Sequence, residues 1–345
     1  MRRMKVAAAM SVAALALAGC SSSTTSTPSA SGSSAAKALK IGMAYDVGGR
    51  GDQSFNDAAA AGLDKAKADL GVVTKEATAV NGEPESSREE RLQQLIDAGY
   101  NDVVAVGFAY APAVKKVAAA NPEAKIALID STDATGPNIQ NLTFAEQQGS
   151  YLVGAAAALK SKTANIGFIG GVNTDLIKKF EAGYTAGAKA VNPAIKVQVK
   201  YLTQPPDFSG FGDPAKGKTA AEGMYQQGAD VIYAAAGGSG GGLFTAATAA
   251  KKMAIGVDSD QALTAPAAAR PFIITSMLKK VDVATFDFIK SLTQGKFVAG
   301  NKIYDLKANG VAYSTTGGKI DDIKAKLDAY KQQIIDGKIV VPIKP

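Results

Sequence analysis

Polar or small residues stand directly after several predicted strands, where a ligand could be bound. Asp46 follows the first strand, Gly107 and Phe108 follow the third, and Asp258 stands at the end of a later strand. In open parallel sheets, ligands lie beyond the carboxyl ends of the strands, at the loops that lead into helices. Each of these positions therefore lets a side chain or bare backbone face a cleft.

The chain contains no histidine, and this removes much of enzyme chemistry. Neither a Ser-His-Asp triad nor a Cys-His pair can be built, and a zinc site that contains histidine is impossible. Catalysis by carboxylates or by lysine stays open. Ligand binding without catalysis is the more economical interpretation, and no cofactor or metal is implied.

Short β-rich runs alternate with helical patterns along the body of the chain. The predicted strands include residues 39–45, 72–80, 102–106, 125–129, 164–169, 195–201, 230–235, 253–257 and 272–276. The predicted helices include residues 53–70, 86–98, 111–120, 146–160, 178–191, 213–227 and 242–252. This alternation predicts parallel sheets that are covered by helices on both faces. One sheet of so many strands would be unusually wide, so we expect two sheets that divide near Thr143.

The first forty residues predict export and attachment to a membrane. A basic start is followed by an apolar run over residues 6–18, which is too short to span a bilayer. Residues 17–20 (Leu-Ala-Gly-Cys) resemble a bacterial lipobox. Residues 1–19 would then be a lipoprotein signal peptide, and Cys20, the only cysteine, would carry fatty acid such as palmitate. A plain secretory signal with an incidental cysteine is the alternative.

A flexible tether and a globular body are predicted to follow. Residues 20–37 consist almost entirely of Ser, Thr, Ala, Pro and Gly, which cannot bury enough apolar surface to become ordered. The whole chain is 46% hydrophobic and 20% charged, as in a globular protein, and its body is long enough for two lobes. The net charge of +7 is spread without a Lys/Arg run, so the footprint of nucleic-acid binding is missing.

Seven collinear segments carry a resemblance to one family. Residues 46–56 (DVGGRGDQSFN) resemble the opening TDxGGxxDxSFN of the basic membrane lipoprotein (Bmp) family. These are the purine nucleoside receptor A-like substrate-binding lipoproteins of ABC transporters. Residues 144–154 are similar to the family segment FxxEEGSFLAG. The other similar segments are residues 166–171, 213–218, 228–233, 255–261 and 275–279.

The resemblance implies a type I periplasmic-binding-protein fold, an α/β architecture of two doubly wound parallel-sheet lobes with a ligand cleft between them. One lobe would comprise residues 38–143 plus 277–300, and the other residues 144–276 plus 301–345. The implied function is that of a monomeric solute-binding protein on the extracytoplasmic face of the cell membrane. It would hold a nucleoside-like ligand, in the first place a purine nucleoside, for an ABC permease, and it would contact membrane lipid through Cys20.

The resemblance also implies how the ligand is bound. Asp258 would accept hydrogen bonds from both hydroxyls of a sugar diol, and Lys279 would donate to the same sugar and balance the carboxylate. Asn56 would read the base, and Asp46 would reach the ligand or a backbone amide. The alternatives are that Asp258 or Asp260 only caps a helix, that Asn56 does so, and that Lys279 lies on the surface.

Three pairs of residues complete the candidates. Phe108 and Tyr233 would form aromatic walls, and Gly237 and Gly238 would let backbone amides approach the sugar. Ser54 and Phe55 belong to the SFN segment. Either wall residue could instead belong to the core. The family usually has a Trp or Phe three or four residues after the Asn of SFN, but here those positions are Ala59 and Ala60. The replacement ring would be Phe55, Phe208 or Phe211, and a sugar or another diol-bearing solute stays open as the ligand.

Two other functions have weaker sequence support. Residues 238–243 (GSGGGL) follow a predicted strand, and Asp258 stands twenty residues downstream, as in a dinucleotide-binding enzyme. However, Leu243 replaces the third glycine, and an exported protein would lack this cytosolic cofactor. The tripeptide Arg50-Gly51-Asp52 could indicate an adhesin, but it lies inside the SFN segment and arises often by chance.

Overall fold

The computed structural model describes residues 38–345, which form two α/β lobes. The predicted signal peptide, Cys20 and the tether lie outside the described residues. Over residues 38–345, no helix combines the length and apolar character that crossing a membrane requires.

The first lobe is built on a sheet of six parallel strands. These are β1 (Lys40–Tyr45), β2 (Val73–Thr78), β3 (Asp102–Ala105), β4 (Ile126–Ile129), β5 (Ile139–Phe144) and β11 (Gly300–Tyr304). Their order in the sheet is β11-β5-β4-β3-β1-β2. The helices of this lobe are α1 (Phe55–Leu70), α2 (Glu85–Asp97), α3 (Ala111–Ala120) and α9 (Val281–Thr293). All four residues of β4 are apolar and buried, as expected for a strand covered on both faces.

The second lobe repeats this arrangement. Its strands are β6 (Asn165–Val172), β7 (Lys196–Thr203), β8 (Val231–Ala235), β9 (Met253–Asp258), β10 (Ile273–Lys279) and β12 (Val311–Tyr313). They run in the order β12-β10-β9-β8-β6-β7, and β12 is antiparallel to β10. The remaining helices are α4 (Glu146–Lys160), α5 (Asp175–Val191), α6 (Pro214–Gln226), α7 (Gly240–Ala250), α8 (Gln261–Thr264) and α10 (Lys324–Ile335).

Both sheets reverse their winding at the same place. The first strand of each sheet lies between the second and the third, as β2-β1-β3 in one lobe and β7-β6-β8 in the other. A ligand crevice forms at such a switch point, outside the carboxyl ends of the strands. The predicted architecture of two doubly wound sheets is therefore confirmed, and the ends of β1, β3, β6 and β8 are where the topology predicts a ligand crevice.

The chain passes between the lobes three times. The connections are Ala145 between β5 and α4, Lys280 between β10 and α9, and residues 305–310 between β11 and β12. The lobe boundaries at 143/144, 276/277 and 300/301 stay a prediction. Strand pairing places residues 277–279 in the second sheet and residues 300–304 in the first.

Glycines bring α4 and α5 into close contact. A Cβ added at Gly154, Gly183 or Gly187 would lie 1.9–2.1 Å from a backbone oxygen of the other helix. Only glycine leaves enough room for this approach. The contact fixes the orientation of α5, whose first turns form part of the cleft described next.

Candidate ligand-binding cleft

A cleft lies between the carboxyl ends of the two sheets. Its empty volume is about 540 Å³, including the solvent space at its opening. The first lobe contributes Asp46, Val47, Asp52, Phe55, Asn56, Gly107, Phe108 and Asp130. The second lobe contributes Leu176, Ile177, Phe180, Phe211, Ala235, Gly237, Val257, Asp258 and Lys279. Seven of the ten predicted site residues are thus brought together, and Ser54, Tyr233 and Gly238 are not among the lining residues.

Side chains of the loop between β1 and α1 hold that loop in place. Asp52 accepts hydrogen bonds from the backbone N–H groups of Ser54 and Asn56, both at 2.8 Å, and of Asp57 at 3.1 Å. Its carboxylate therefore caps α1. Asn56 Oδ1 accepts a hydrogen bond from the Asp46 N–H at 3.0 Å, and Asn56 Nδ2 donates to Asp52 at 3.0 Å. Asn56 thus fastens the loop to the end of β1 while it lines the cleft.

The Arg50-Gly51-Asp52 tripeptide belongs to this loop. The Arg50 guanidinium donates to Asp64 at 2.8 and 2.9 Å and to Glu76 at 2.5 Å on the surface of the lobe. Because Asp52 caps α1, both charged residues of the tripeptide have partners within the first lobe. The structure explains their presence without an adhesion partner.

Asp46 is a buried carboxylate at the end of β1. Its Oδ1 accepts a hydrogen bond from the Val47 N–H at 2.8 Å and lies 3.9 Å from an Arg88 nitrogen. Burial raises the pKa of Asp46 to about 6, although the Val47 N–H and Arg88 act in the opposite direction. Gly107 lies directly against this side chain, with φ of +105°, and a Cβ there would be 2.4 Å from Asp46 Oδ2. The position after β3 therefore requires glycine.

Asp258 is the buried carboxylate at the end of β9, and its φ of +62° is left-handed. Its Oδ2 accepts a hydrogen bond from Ser54 Oγ, on the other lobe, at 2.6 Å. Burial raises the pKa of Asp258 to about 7, while Lys279 and the Ser54 hydroxyl lower it. Asp258 does not cap a helix, because α8 begins at Gln261 and its N-cap position is Asp260, which makes no side-chain cap bond.

Two further hydrogen bonds join the same two loops across the lobes. Ser259 Oγ donates to the Ser54 carbonyl oxygen at 3.0 Å, and Gln261 Nε2 donates to the Gln53 carbonyl oxygen at 2.9 Å. The lobes are therefore in direct contact on this side of the cleft.

Lys279 is buried at the end of β10, so it is not a surface lysine. Its Nζ lies 2.6 Å from Asp130 Oδ2 and 3.3 Å from Glu146 Oε1. Burial lowers the pKa of Lys279, but the carboxylates of Asp130, Glu146 and Asp258 outweigh this effect and raise it above its ordinary value. Burial also raises the pKa of Glu146, against the influence of Lys279. One ammonium thus serves several buried carboxylates.

Aromatic rings surround this ammonium and line both sides of the cleft. The Lys279 Nζ lies 5.0 Å from the ring centres of Phe55 and Phe144 and 5.5 Å from that of Phe180, within the range of cation–π attraction. The rings of Phe108 and Phe211, from opposite lobes, meet edge to face with centres 6.5 Å apart. Flat, apolar surfaces therefore adjoin the charged end of the cleft.

Of the proposed replacement rings, Phe55 and Phe211 line the cleft. Phe208 packs outside it, edge to face against Phe108 with centres 5.8 Å apart, and beneath the Arg88 guanidinium at 5.8 Å. Ala59 and Ala60 are buried in the core of the first lobe. These two positions are therefore not part of the cleft lining, where the family pattern predicts an aromatic ring.

Tyr233 lies in the core of the second lobe, which corrects its predicted place in the cleft wall. Its ring is fully buried against Phe168 and Tyr184, with ring centres 5.6 and 5.3 Å away, and its hydroxyl lies 3.3 Å from Ser150 Oγ. The physical reason is that Tyr233 stands two residues before the end of β8. Side chains inside a strand point to the helix layers, whereas the cleft is lined by residues in the last two positions of a strand or past its end.

The two predicted glycines differ in their positions. Gly237 lines the cleft with φ of +54°. Gly238 instead faces the other lobe, since a Cβ there would lie 3.6 Å from Asp52 Cβ. The glycine-rich run also serves packing, because a Cβ at Gly242 would lie 2.0 Å from the Pro214 carbonyl oxygen of α6. Helix contact therefore accounts for this glycine without a dinucleotide.

Sequence reasoning missed several lining residues. Asp52 and Asp130 follow β1 and β4, so the rule that ligands lie at strand ends could have found both. Leu176, Ile177 and Phe180 come from the first turns of α5, and only the packing of that helix turns them to the cleft.

Comparison with known proteins agrees with this geometry. The family model of PnrA-like ABC transporter substrate-binding proteins (Bmp) matches residues 38–344. The chain is 35% identical to the ABC transporter nucleoside-binding protein BmpA of Lactococcus lactis, over 89% of this chain and 90% of the relative. It is 36% identical to an uncharacterized lipoprotein of Pyrococcus abyssi, over 81% of this chain and 69% of the relative.

A solved structure is also similar. It is that of an ABC transporter solute-binding protein from Aeropyrum pernix, with a TM-score of 0.77, 31% identity, and coverage of 88% of this chain and 94% of that one. The two sheets, the cleft at their switch points and the match over the whole described body lead to one assignment. The chain belongs to the Bmp family of PnrA-like ABC transporter substrate-binding proteins.

Proposed function

We propose that the protein binds a nucleoside, in the first place a purine nucleoside, in the cleft between its lobes and presents it to an ABC permease without catalysing a reaction. The observation that carries this proposal is the pairing of buried Asp258 and Lys279 with aromatic rings from both lobes. A nucleoside has a vicinal diol that seeks charged hydrogen-bond partners and a flat base that seeks aromatic faces. The cleft offers both.

The diol is assigned to Asp258 and Lys279. A carboxylate accepts hydrogen bonds from both hydroxyls, and charge-assisted bonds are the stronger kind. Lys279 is held charged by its carboxylate partners and can donate to the same sugar. Gly237, which carries no side chain, lets the backbone approach the sugar.

The base is assigned to the aromatic part of the cleft. Phe108 and Phe211 reach it from opposite lobes and meet edge to face, so a base that packs against both rings would be bound by both halves of the protein. Stacking on an aromatic ring contributes roughly 1–3 kcal/mol per base. Asp46 and Asn56 present polar groups on the same side as Phe108, where a base edge could be read. The similarity to a relative named as nucleoside-binding supports this assignment.

We further propose that Cys20 carries lipid and holds the protein on the extracytoplasmic face of the cell membrane. The lipobox-like residues 17–20 and the similarity to an archaeal relative named as a lipoprotein support this proposal. A Cys20→Ser variant expressed in a bacterial host should leave the membrane fraction and stop incorporating a labelled fatty acid. Unchanged labelling of that variant would contradict the proposal.

The nucleoside assignment can be tested by calorimetric titration and thermal melting with adenosine, guanosine and inosine, beside ribose and NAD. We expect a nucleoside to bind and to raise the melting temperature, because a ligand that binds only the folded state stabilises it. An Asp258→Asn variant should lose this shift while its ligand-free melting temperature changes little, since Asn also tolerates a left-handed backbone.

The matched control is Asp260→Asn, the same change two residues away and outside the cleft, which should keep the ligand-induced shift. Binding of ribose as tightly as of nucleosides would replace the proposal by that of a sugar receptor. Binding of NAD alone would overturn it in favour of a dinucleotide site.

A further inference from the structure

We propose that Ser54 is a positioning residue that acts on the ligand through Asp258 and couples ligand binding to closure of the two lobes. Ser54 does not line the cleft, although it belongs to the SFN segment. Its hydroxyl holds one oxygen of the Asp258 carboxylate from the opposite lobe, and the other oxygen is left for the ligand. This inference rests on the proposed nucleoside binding and assigns its regulation.

The geometry of Ser54 makes its hydroxyl a fixed donor. The residue is fully buried, and its Oγ lies 2.6 Å from Asp258 Oδ2, a short bond typical of a hydroxyl on a carboxylate. Its N–H donates to Asp52 at 2.8 Å, and its carbonyl oxygen accepts a hydrogen bond from Ser259 at 3.0 Å. The backbone of Ser54 is therefore held on both sides, by its own lobe and by the other.

Asp258 needs such a partner. Its left-handed φ of +62° is uncommon for a residue with a Cβ, so the side chain leaves β9 in an unusual direction. Within residues 38–345, Ser54 is the one hydrogen-bond donor to its carboxylate, through Oδ2. Oδ1 thus remains for a ligand hydroxyl, since Asp258 lines the cleft.

The Asp258 carboxylate would then connect the ligand, the first lobe and the second lobe. A ligand bound to Oδ1 is linked through the same group to Ser54, which stands at the N-terminus of α1 in the first lobe. Opening of the lobes breaks the Ser54 contact and leaves the carboxylate without its partner. A ligand that prefers the ionised, oriented Asp258 therefore favours the closed form, because it interacts better with that state.

The contact also predicts a pH dependence. The groups that act on the Asp258 carboxylate are Ser54 and Asp52 from the segment before α1, Asp130 after β4, Lys279 from β10 and Tyr233 from β8. Burial raises the pKa of Asp258 to about 7, and the Ser54 hydroxyl lowers it by stabilising the ionised form. A diol donates to the ionised carboxylate, so affinity should fall as the pH drops through the pKa of the free protein. Loss of the Ser54 hydroxyl should move that fall to higher pH.

The test is calorimetric titration of guanosine into the wild type, Ser54→Ala and Ser259→Ala over a pH series that brackets neutrality. Each variant loses one hydroxyl that bonds across the lobes, but only the Ser54 hydroxyl donates to the Asp258 carboxylate, and it also lies 3.4 Å from the Val257 carbonyl oxygen. We expect Ser54→Ala to bind roughly tenfold more weakly at neutral pH and to shift the midpoint upward. Ser259→Ala should weaken binding less and leave the midpoint where it is.

A second measurement separates this inference from the proposed function. Carbon NMR of the Asp258 carboxyl in the ligand-free protein should show a higher pKa in Ser54→Ala than in the wild type. Equal affinity losses and unmoved midpoints in both variants would reduce Ser54 to a structural contact and overturn the inference. If the wild type binds no nucleoside, the proposed function fails, and the role in ligand coupling fails with it, even when the NMR shift is found.

Discussion

The two lobes share a strand order but bring different chemistry to the cleft. At the switch point of the first lobe stand the carboxylates of Asp46 and Asp52, after β1. At the corresponding place in the second lobe stand Leu176 and Ile177 after β6 and Gly237 after β8. The topology therefore places the cleft, and the few residues at each strand end give its two sides different chemistry.

The charges of the second lobe come from strands nearer the crossing points. Asp258 ends β9 and Lys279 ends β10, and Lys279 pairs with Asp130 of the first lobe. The buried carboxylate of Asp130 is therefore compensated from the second lobe, whereas Asp46 lies near Arg88 of its own lobe. The charge balance of Asp130 thus requires both halves of the protein.

The largest effect on this difference between the lobes is expected from removing Lys279, the cation that the two lobes share. Lys279→Met leaves Asp130 buried without a counter-charge and leaves Glu146 with only Lys179, whose Nζ lies 3.7 Å from its carboxylate. We expect the free energy of unfolding to fall by about 3–5 kcal/mol, as when one partner of a buried ion pair is removed. Urea denaturation of the ligand-free protein measures this change.

Lys302→Met is the matched control, because Lys302 pairs with Asp287 at 3.1 Å with both side chains close to half exposed. Exposed pairs contribute about 0–1 kcal/mol, so this variant should unfold almost as the wild type does. If both variants lost the same stability, the view of Lys279 as the counter-charge of both lobes would be wrong.

A smaller effect compares the helices that follow β1 and β6. Asp52 caps α1 through three backbone N–H groups, whereas Thr174 Oγ1 caps α5 by accepting one hydrogen bond, from Ile177 at 3.4 Å. We expect Asp52→Ala to cost about 2 kcal/mol and Thr174→Ala about 0.5 kcal/mol of unfolding free energy. Urea denaturation of the two variants side by side would show the difference, and equal costs would mean that the charged cap of the first lobe has no special role.

Most of the fold could be predicted from the sequence because parallel strands read as short apolar runs. The strands β5 and β11 do not show this apolar pattern. In β5, Gln140 and Asn141 interrupt the apolar pattern, and Asn141 is nevertheless buried because its amide donates to the Ala134 carbonyl oxygen and to Asn301. The strand β11 is largely exposed and pairs with β5, some 160 residues earlier in the chain, which no local pattern reveals. The helices α9 and α10 are likewise absent from the elements that the sequence pattern predicts.

The candidate site could be predicted where its residues follow a strand, as Asp46 and Phe108 do, or end one, as Asp258 does. The candidate site could not be predicted where the direction of a side chain decides whether it enters the cleft or the core. Tyr233 precedes the end of its strand and enters the core, and Phe180 is turned to the cleft by the glycine contacts of α4 and α5. Both outcomes depend on tertiary packing that residue type alone does not encode.

The three connections between the lobes leave from β5, β10 and β11, which lie at or next to one edge of their sheets. In a rigid-body rotation about that edge, the strands farthest from the edge would move the greatest distance. The far strands are β2 and β7, and the contact of Arg88 with the ring of Phe208 lies in the segments that follow them. A rotation about this edge would therefore separate the contact between Arg88 and Phe208 before the contacts nearer the connections.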